Sequence, residues 1–333
     1  MMEKEWKQTL YTYVNQHNQC QIDYRSELVE QIVTDMNYLM DRSKMLKRID
    51  QGYEKRGVKP LRSETRAKIL RMILDSEQEV VADVQLHGQL LYVKGGATHR
   101  EDSIQHQRLT MIRDGDAWAV VSIEQLTTER HSVLPKITHK EREVHSGEPE
   151  PFLNSYVLGG GAGRRPTKYH REEAVAYADR WWDSDNPEFT SFAVNCTNYI
   201  SQCLFAGGAP IHYTGKRASG WWYKGYVNDK EWWSYSWAVS NSLERLLTSS
   251  TWGLRADVVE RPEQLSLGDV IIYDWDGDGS YQHSTIVTAF DAGGMPLVNA
   301  NTVSSKHRYW DYKDSYAWNE NTKYQLLHIP DVF

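Results

Sequence analysis

The spacing of apolar residues changes period along this chain, and that change restricts it to a fold that mixes helices and strands. From residue 3 to about 76 the spacing is helical. Leu28, Ile32, Met36, Leu39 and Met40 form one stripe, and Ile69, Leu70, Ile73 and Leu74 form a second after Pro60. Residues 80–86, 90–93 and 117–121 then read as strands, with Gly95-Gly96 and Asp114-Gly115-Asp116 supplying turn chemistry. Helices on a small antiparallel sheet make an α+β accessory domain over residues 1–134. That region offers no catalytic constellation. His87, His99, His106 and His131 are scattered, and we read them as surface histidines rather than ligands.

Residues 135–168 read as a flexible linker. They carry Glu141-Arg142-Glu143 and the glycine-rich run 159–163, where the missing Cβ leaves the backbone free. With 333 residues the chain has length for a second domain, which we set at 169–333. Lysine and arginine total 38 against 45 acids, a net charge of -7. This balance argues against a nucleic-acid partner, whose phosphates require a basic surface. Cys20, Cys196 and Cys203 give neither a disulfide framework nor zinc spacing. The opening Met-Met-Glu-Lys-Glu-Trp lacks a basic segment followed by an apolar run, and no stretch is long enough to span a bilayer. The expectation is a cytoplasmic protein with no membrane span, with cell-wall or spore association left open.

The second half carries the chemistry. A helix begins near Tyr169, with Ala174, Val175, Ala178, Trp181 and Trp182 on its apolar face, and residues 183–187 end it. In residues 192–208, Cys196, Tyr199, Ile200, Cys203 and Leu204 follow helical spacing, with Asn195 as N-cap and Gly207 as stop. Cys196 then sits at the first helical position, where free N–H groups and the helix dipole favour a thiolate. Cys203 reads as core. Residues 268–273 and 283–288 read as strands, and a turn at residues 291–294 leads to a third strand, 297–301. Leu297, Asn299 and Asn301 share a face of it. A hairpin would set that face beside His283. A histidine with an amide on the next strand, facing a helix-start cysteine, is what a cysteine hydrolase needs.

These strings resemble a family. Residues 195–202, the Gly268-Asp269-Val270 strand and residues 283–288 look like the bacterial putative amidase domain of the NlpC and CHAP superfamily, over about residues 165–330. The resemblance implies a papain-like α+β domain with Cys196 as nucleophile, His283 as base and Asn299 as third residue. The family often has aspartate at the position of Asn195 and histidine at that of Asn301; we read both as supporting residues. It also implies acyl transfer on peptide amides, with peptidoglycan as the first substrate and no cofactor required. Trp221, Trp222 and Trp237 are candidates for a substrate groove, and equally for core. Asp274, Asp276 and Asp278 alternate before a glycine, like the first half of a calcium loop, without the glutamate that completes it. Two other readings stand beside the hydrolase: a non-catalytic glycan- or peptide-binding protein of the same fold, and an intracellular γ-glutamyl or peptide amidase or transferase.

Overall fold

The computed structural model describes residues 5–24, 32–130, 167–227 and 230–333. Contacts divide the chain into two units: 1–129 with 291–293 and 303–318, and 130–290 with 294–302 and 319–333. Residues 131–166, most of the expected linker and His131 with it, lie outside the described residues.

In the first unit, α1 (Glu5–Asp23) and α2 (Met36–Arg56) accompany strands β1 (Lys59–Asp75), β2 (Glu79–Lys94), β3 (Ala97–Asp114) and β4 (Ala117–Gln125). The strands are antiparallel in the order β1-β2-β3, and β3 gives its far edge to β4 and, at Asp102 and Ser103, to β11 (Ser305–Tyr309). Val80, Ala82, Val84 and Leu86 alternate inward along β2 and meet Trp6, Leu10, Tyr13 and Leu46 of the helices. Asp35 caps α2 by accepting the Tyr38 N–H at 3.1 Å. Leu39 of the first expected stripe is buried, Met36 and Met40 are exposed, and Leu28 lies outside the described residues.

The expected helix after Pro60 is corrected: the segment is strand β1. Its ladder with β2 runs from Lys59↔Val93 to Asp75↔Val80, and that long-range pairing overrides the local spacing. The stripe was no guide to burial either, since Leu70 is 47% and Ile73 44% exposed. Among the expected surface histidines, His99 stacks on Tyr92 at 5.3 Å and His87 lies 3.5 Å from Asp102. His106 is half-buried, which lowers its pKa.

The second unit is mixed as well. Helices α3 (Arg171–Trp181), α4 (Cys196–Ala206), α5 (Tyr235–Ala238) and α6 (Ser240–Ser249) and the hairpin β5 (Tyr223–Val227) and β6 (Lys230–Trp233) precede the main strands. Strands β7 (Asp257–Val259), β8 (Val270–Asp274), β9 (His283–Phe290), β10 (Pro296–Ala300) and β12 (Lys323–His328) pair antiparallel in the order β10-β9-β8-β12-β7. Tyr199, Ile200, Cys203 and Leu204 of α4 share one core with Val270, Ile272 and Ile286 of the sheet. Cys203 is core, as its helical position implies. Trp221, Trp222 and Trp237 are fully buried, so none lines an open groove as folded. The indoles of Trp221 and Trp237 donate to Ser201 and to Asn198 on α4, at 3.0 and 2.8 Å. Among the described residues no helix is long and apolar enough to cross a membrane.

Gly207 ends α4 by close approach rather than by left-handed backbone, its φ being -73°. A Cβ there would sit 2.4 Å from the ring of Tyr169. Gly207→Ala is expected to lower stability by about 1–3 kcal/mol through overpacking. Urea titration checks it: the midpoint falls while the slope stays constant.

Candidate active site

Cys196 opens α4 and is 1% exposed. Its sulfur lies 3.8 Å from Thr197 Oγ1 and 3.9 Å from Ser240 Oγ. The backbones of Ser284 and Thr197 also bond the thiol in the sense that favours its thiolate. Around it, Thr197, Ser240 and Ser284 form a closed triangle of hydroxyls with edges of 2.7, 3.3 and 3.1 Å. Burial still wins: it pushes the thiol above its ordinary value against all of these bonds.

Ser284 follows His283, so β9 carries the histidine backbone next to the thiol. Cross-strand pairing sets Ser284 beside Ile272 and His283 beside Tyr273. Residues opposite one another share a face, so Ser284 looks to α4 while His283 looks to the other side of the sheet. There its ring neighbours Tyr273 and Trp275, with centroids 5.6 and 6.0 Å away.

The two asparagines serve different partners. Asn299 pairs with Ile286, three residues along β9 from His283. Its amide donates to Asp179 at 2.8 Å and accepts from the Thr288 hydroxyl at 2.8 Å. Asn301 accepts from Asn195 Nδ2 at 3.1 Å and donates to the backbone carbonyls of Trp181 and Ser184. The Asn195 side chain makes no cap bond to the helix N–H groups. It is engaged instead with Asn198, Asn301 and Asp185, while its carbonyl receives the Tyr199 N–H. Its own N–H donates to Thr302 Oγ1 at 2.7 Å. Sequence reasoning missed Ser240, Thr302 and Asp185. Thr197 and Ser284 stood beside the two chemical residues and were the available signal.

The aspartate loop is occupied by its own structure. Asp274 accepts N–H bonds from Asp276, Gly277 and Gly279, at 3.2, 2.8 and 2.8 Å. Asp276 pairs with Arg130, and Asp278 accepts from Ser280 N–H at 2.8 Å. Among the described residues no group of three or more histidine, cysteine or acidic side chains converges as a metal would require.

Two comparisons cover this region. Residues 168–327 match the family described as "Putative amidase domain". Over 167 residues, half of this chain, the sequence is 49% identical to the Bacillus subtilis (strain 168) protein called "Uncharacterized protein YhbB". The match covers 52% of that relative, so the chain spans about half its length. The family span includes Cys196, His283, Asn299 and Asn301. It supports amide hydrolysis as the activity of this half.

Two outcomes are expected. A buried acid with a raised pKa favours its neutral form in the folded state. The contribution of the Cys196 thiol to stability is therefore complete below about pH 8.5 and is lost as pH rises through the raised value. Iodoacetamide labelling of Cys196, mapped by mass spectrometry, should be slow at neutral pH and accelerate in alkali. Fast labelling independent of pH would contradict the geometry. Calcium should leave the melting temperature unchanged relative to chelator, because Asp274 would have to release three backbone N–H groups to bind it.

Proposed function

We propose that the second unit is a cysteine-dependent amide hydrolase of papain-like kind, with Cys196 as nucleophile and His283 as its base. The observation that carries the reading is the start of α4. A thiol stands at the first helical position, within a family of amidase domains, and receives hydrogen bonds that favour its thiolate. Cys196 Sγ attacks the amide carbonyl carbon, and the imidazole takes the thiol proton and delivers it to the leaving amine. Water then hydrolyses the thioester and regenerates the thiol. The first-turn N–H groups of α4 stabilise the oxyanion. For this the imidazole would have to leave Tyr273 and Trp275 and come to the sulfur's side of β9, which takes a change of backbone conformation at the strand's first residue. Asn299 as third residue would exchange Asp179 and Thr288 for the imidazole N–H. The substrate we favour is a peptide amide of peptidoglycan, on the strength of the sequence resemblance to the NlpC and CHAP group; a γ-glutamyl or other small amide fits the same chemistry.

One observation favours a second reading, a non-catalytic binding protein: Cys196 and His283 are 1% and 0% exposed. Digestion of purified peptidoglycan and of γ-glutamyl peptides, read by mass spectrometry, separates the readings. New amine and carboxyl termini are expected with the wild-type chain and none with Cys196→Ala. His283→Ala should lose about 10²- to 10⁴-fold in turnover. Asn299→Ala should slow the chemical step and leave substrate binding nearly intact. A crippled Asn301→Ala beside a near-normal Asn299→Ala would move the third role to Asn301. Binding without cleavage by the wild-type chain would establish the second reading.

A further inference from the structure

The hydrogens of the three hydroxyls beside the Cys196 sulfur can be counted. Thr197 is the second residue of α4, Ser240 the first of α6 and Ser284 the second of β9, and all three are buried. Ser284 donates to Ser240 at 3.1 Å. That leaves the Ser240 hydrogen for Thr197 at 2.7 Å and the Thr197 hydrogen for Ser284 at 3.3 Å. A hydroxyl has one hydrogen and two lone pairs, so the closed ring uses every hydrogen and keeps acceptor capacity in reserve. The sulfur is an outer neighbour of this ring. Its contacts to Thr197 and Ser240, 3.8 and 3.9 Å, are long beside the ring's own edges. Beside a neutral thiol, then, the hydroxyls bond first to one another.

A thiolate changes the count. It only accepts, and a buried charge needs hydrogens pointed at it. To supply one, the ring has to open at an edge. The edge between Thr197 and Ser284 is the longest and the least costly to lose. Turning the Thr197 O–H from Ser284 to the sulfur leaves a chain that runs from Ser284 to Ser240 to Thr197 to the sulfur. Every hydroxyl in it still donates, each donation polarises the next, and a charged acceptor draws its donor closer.

We infer that Thr197 is a catalytic hydroxyl, which turns its hydrogen from Ser284 to the Cys196 sulfur as the thiolate forms, with Ser240 and Ser284 donating behind it. The thiol proton goes to the base of the proposed hydrolysis; the hydroxyls reorient their hydrogens and transfer none. This role deepens the reading of Cys196 as nucleophile and rests on it, although the ionisation of the thiol can be followed without turnover.

Nuclear magnetic resonance of the full chain, isotope-labelled at the cysteine Cβ carbons, tests it, because that carbon shifts when its thiol ionises. The chain has three cysteines, and the resonance missing from Cys196→Ser is the one to follow with pH. At the pH where the wild-type thiol is half ionised, Thr197→Val should lower the ratio of thiolate to thiol by about tenfold, the loss of one hydrogen bond to a charged group. Thr197→Ser keeps the hydroxyl and should follow the wild type. Ser240→Ala removes the donor behind Thr197 and should move the ratio in the same direction as Thr197→Val. In peptidoglycan digests kcat of Thr197→Val should fall by about tenfold as well, with KM unchanged. A folded Thr197→Val whose titration coincides with that of the wild type overturns the proposal. So does a Thr197→Ser as impaired as Thr197→Val, since the methyl group would then be what matters. If Thr197→Val fails to fold, a wild-type titration in Ser240→Ala is equally decisive against it. A wild-type resonance that stays at its thiol position over the whole pH range of the folded chain also overturns it. The expected titrations in a chain that cleaves no amide would support the role of Thr197 and sink the amidase reading alone.

Discussion

The second unit depends on how the start of helix α4 is tied to the ends of β9 and β10. A helix leaves its first N–H groups without internal partners, and a buried helix start needs others. Here Asn195 gives no side-chain cap and instead ties the chain before the helix to its surroundings. One amide reaches Asn198, Asn301 and Asp185 at once, and the backbone N–H reaches Thr302. Beyond it the hydroxyls of Thr197, Ser240 and Ser284 close on one another. Each bond contributes about 0.5–1.5 kcal/mol net, but losing one would leave a buried polar group unsatisfied, costing about 1–3 kcal/mol. The position of Cys196 is therefore set by its neighbours, with little freedom of its own.

That same closure sets two influences against each other at the thiol. The helix start and three surrounding residues favour the thiolate, and removal from water favours the neutral thiol; the second is larger in the folded chain. A substrate that admitted its own polar groups beside Cys196 would change the balance in the direction of the thiolate. The aromatic packing of His283 belongs to the same condition. With the imidazole held against Tyr273 and Trp275, His283 and Cys196 sit on opposite sides of one strand. Bringing the two together requires a backbone change at the start of β9, not a side-chain torsion alone.

What the sequence made legible follows from what local spacing can encode. The bounds of α4 came from a residue type that favours helix starts, although Asn195 makes no side-chain cap here, with a helical stripe and a glycine. The β8, β9 and β10 strands came from short apolar runs between turn signals. Strand β1 was not legible, because a stripe of Ile69, Leu70, Ile73 and Leu74 fits a helix as well as it fits anything, and only pairing with β2 decides. The return of residues 303–318 to the first unit is likewise a long-range contact with no local mark. At the site, Cys196 and His283 could be named, but their partners could not. Ser240 is 44 positions from Cys196, and nothing near it in sequence points to a thiol.

The Gly268-Asp269 pair was legible as the start of a strand, and the structure shows what it does there. It reads as the beginning of a strand near the chemistry, yet its contacts are architectural. Gly268 has φ +79°, and a Cβ there would come within 2.8 Å of the Tyr169 hydroxyl, which itself donates to the Gly268 carbonyl. Asp269 is fully buried and accepts from Arg171 at 2.8 Å, from the N–H groups of Ser266 and Ile329, and meets His328 Nδ1 at 2.7 Å. One carboxylate thereby joins the first turn of α3, the entry to β8 and the end of β12. Breaking a buried pair by removing one partner costs about 3–5 kcal/mol, because the other charge is left without compensation. Such a hub holds the fold of the unit and would do so in a binding protein as well as in a hydrolase. The motif therefore speaks to the architecture, and the proposal for the chemistry rests on the residues around Cys196 and His283.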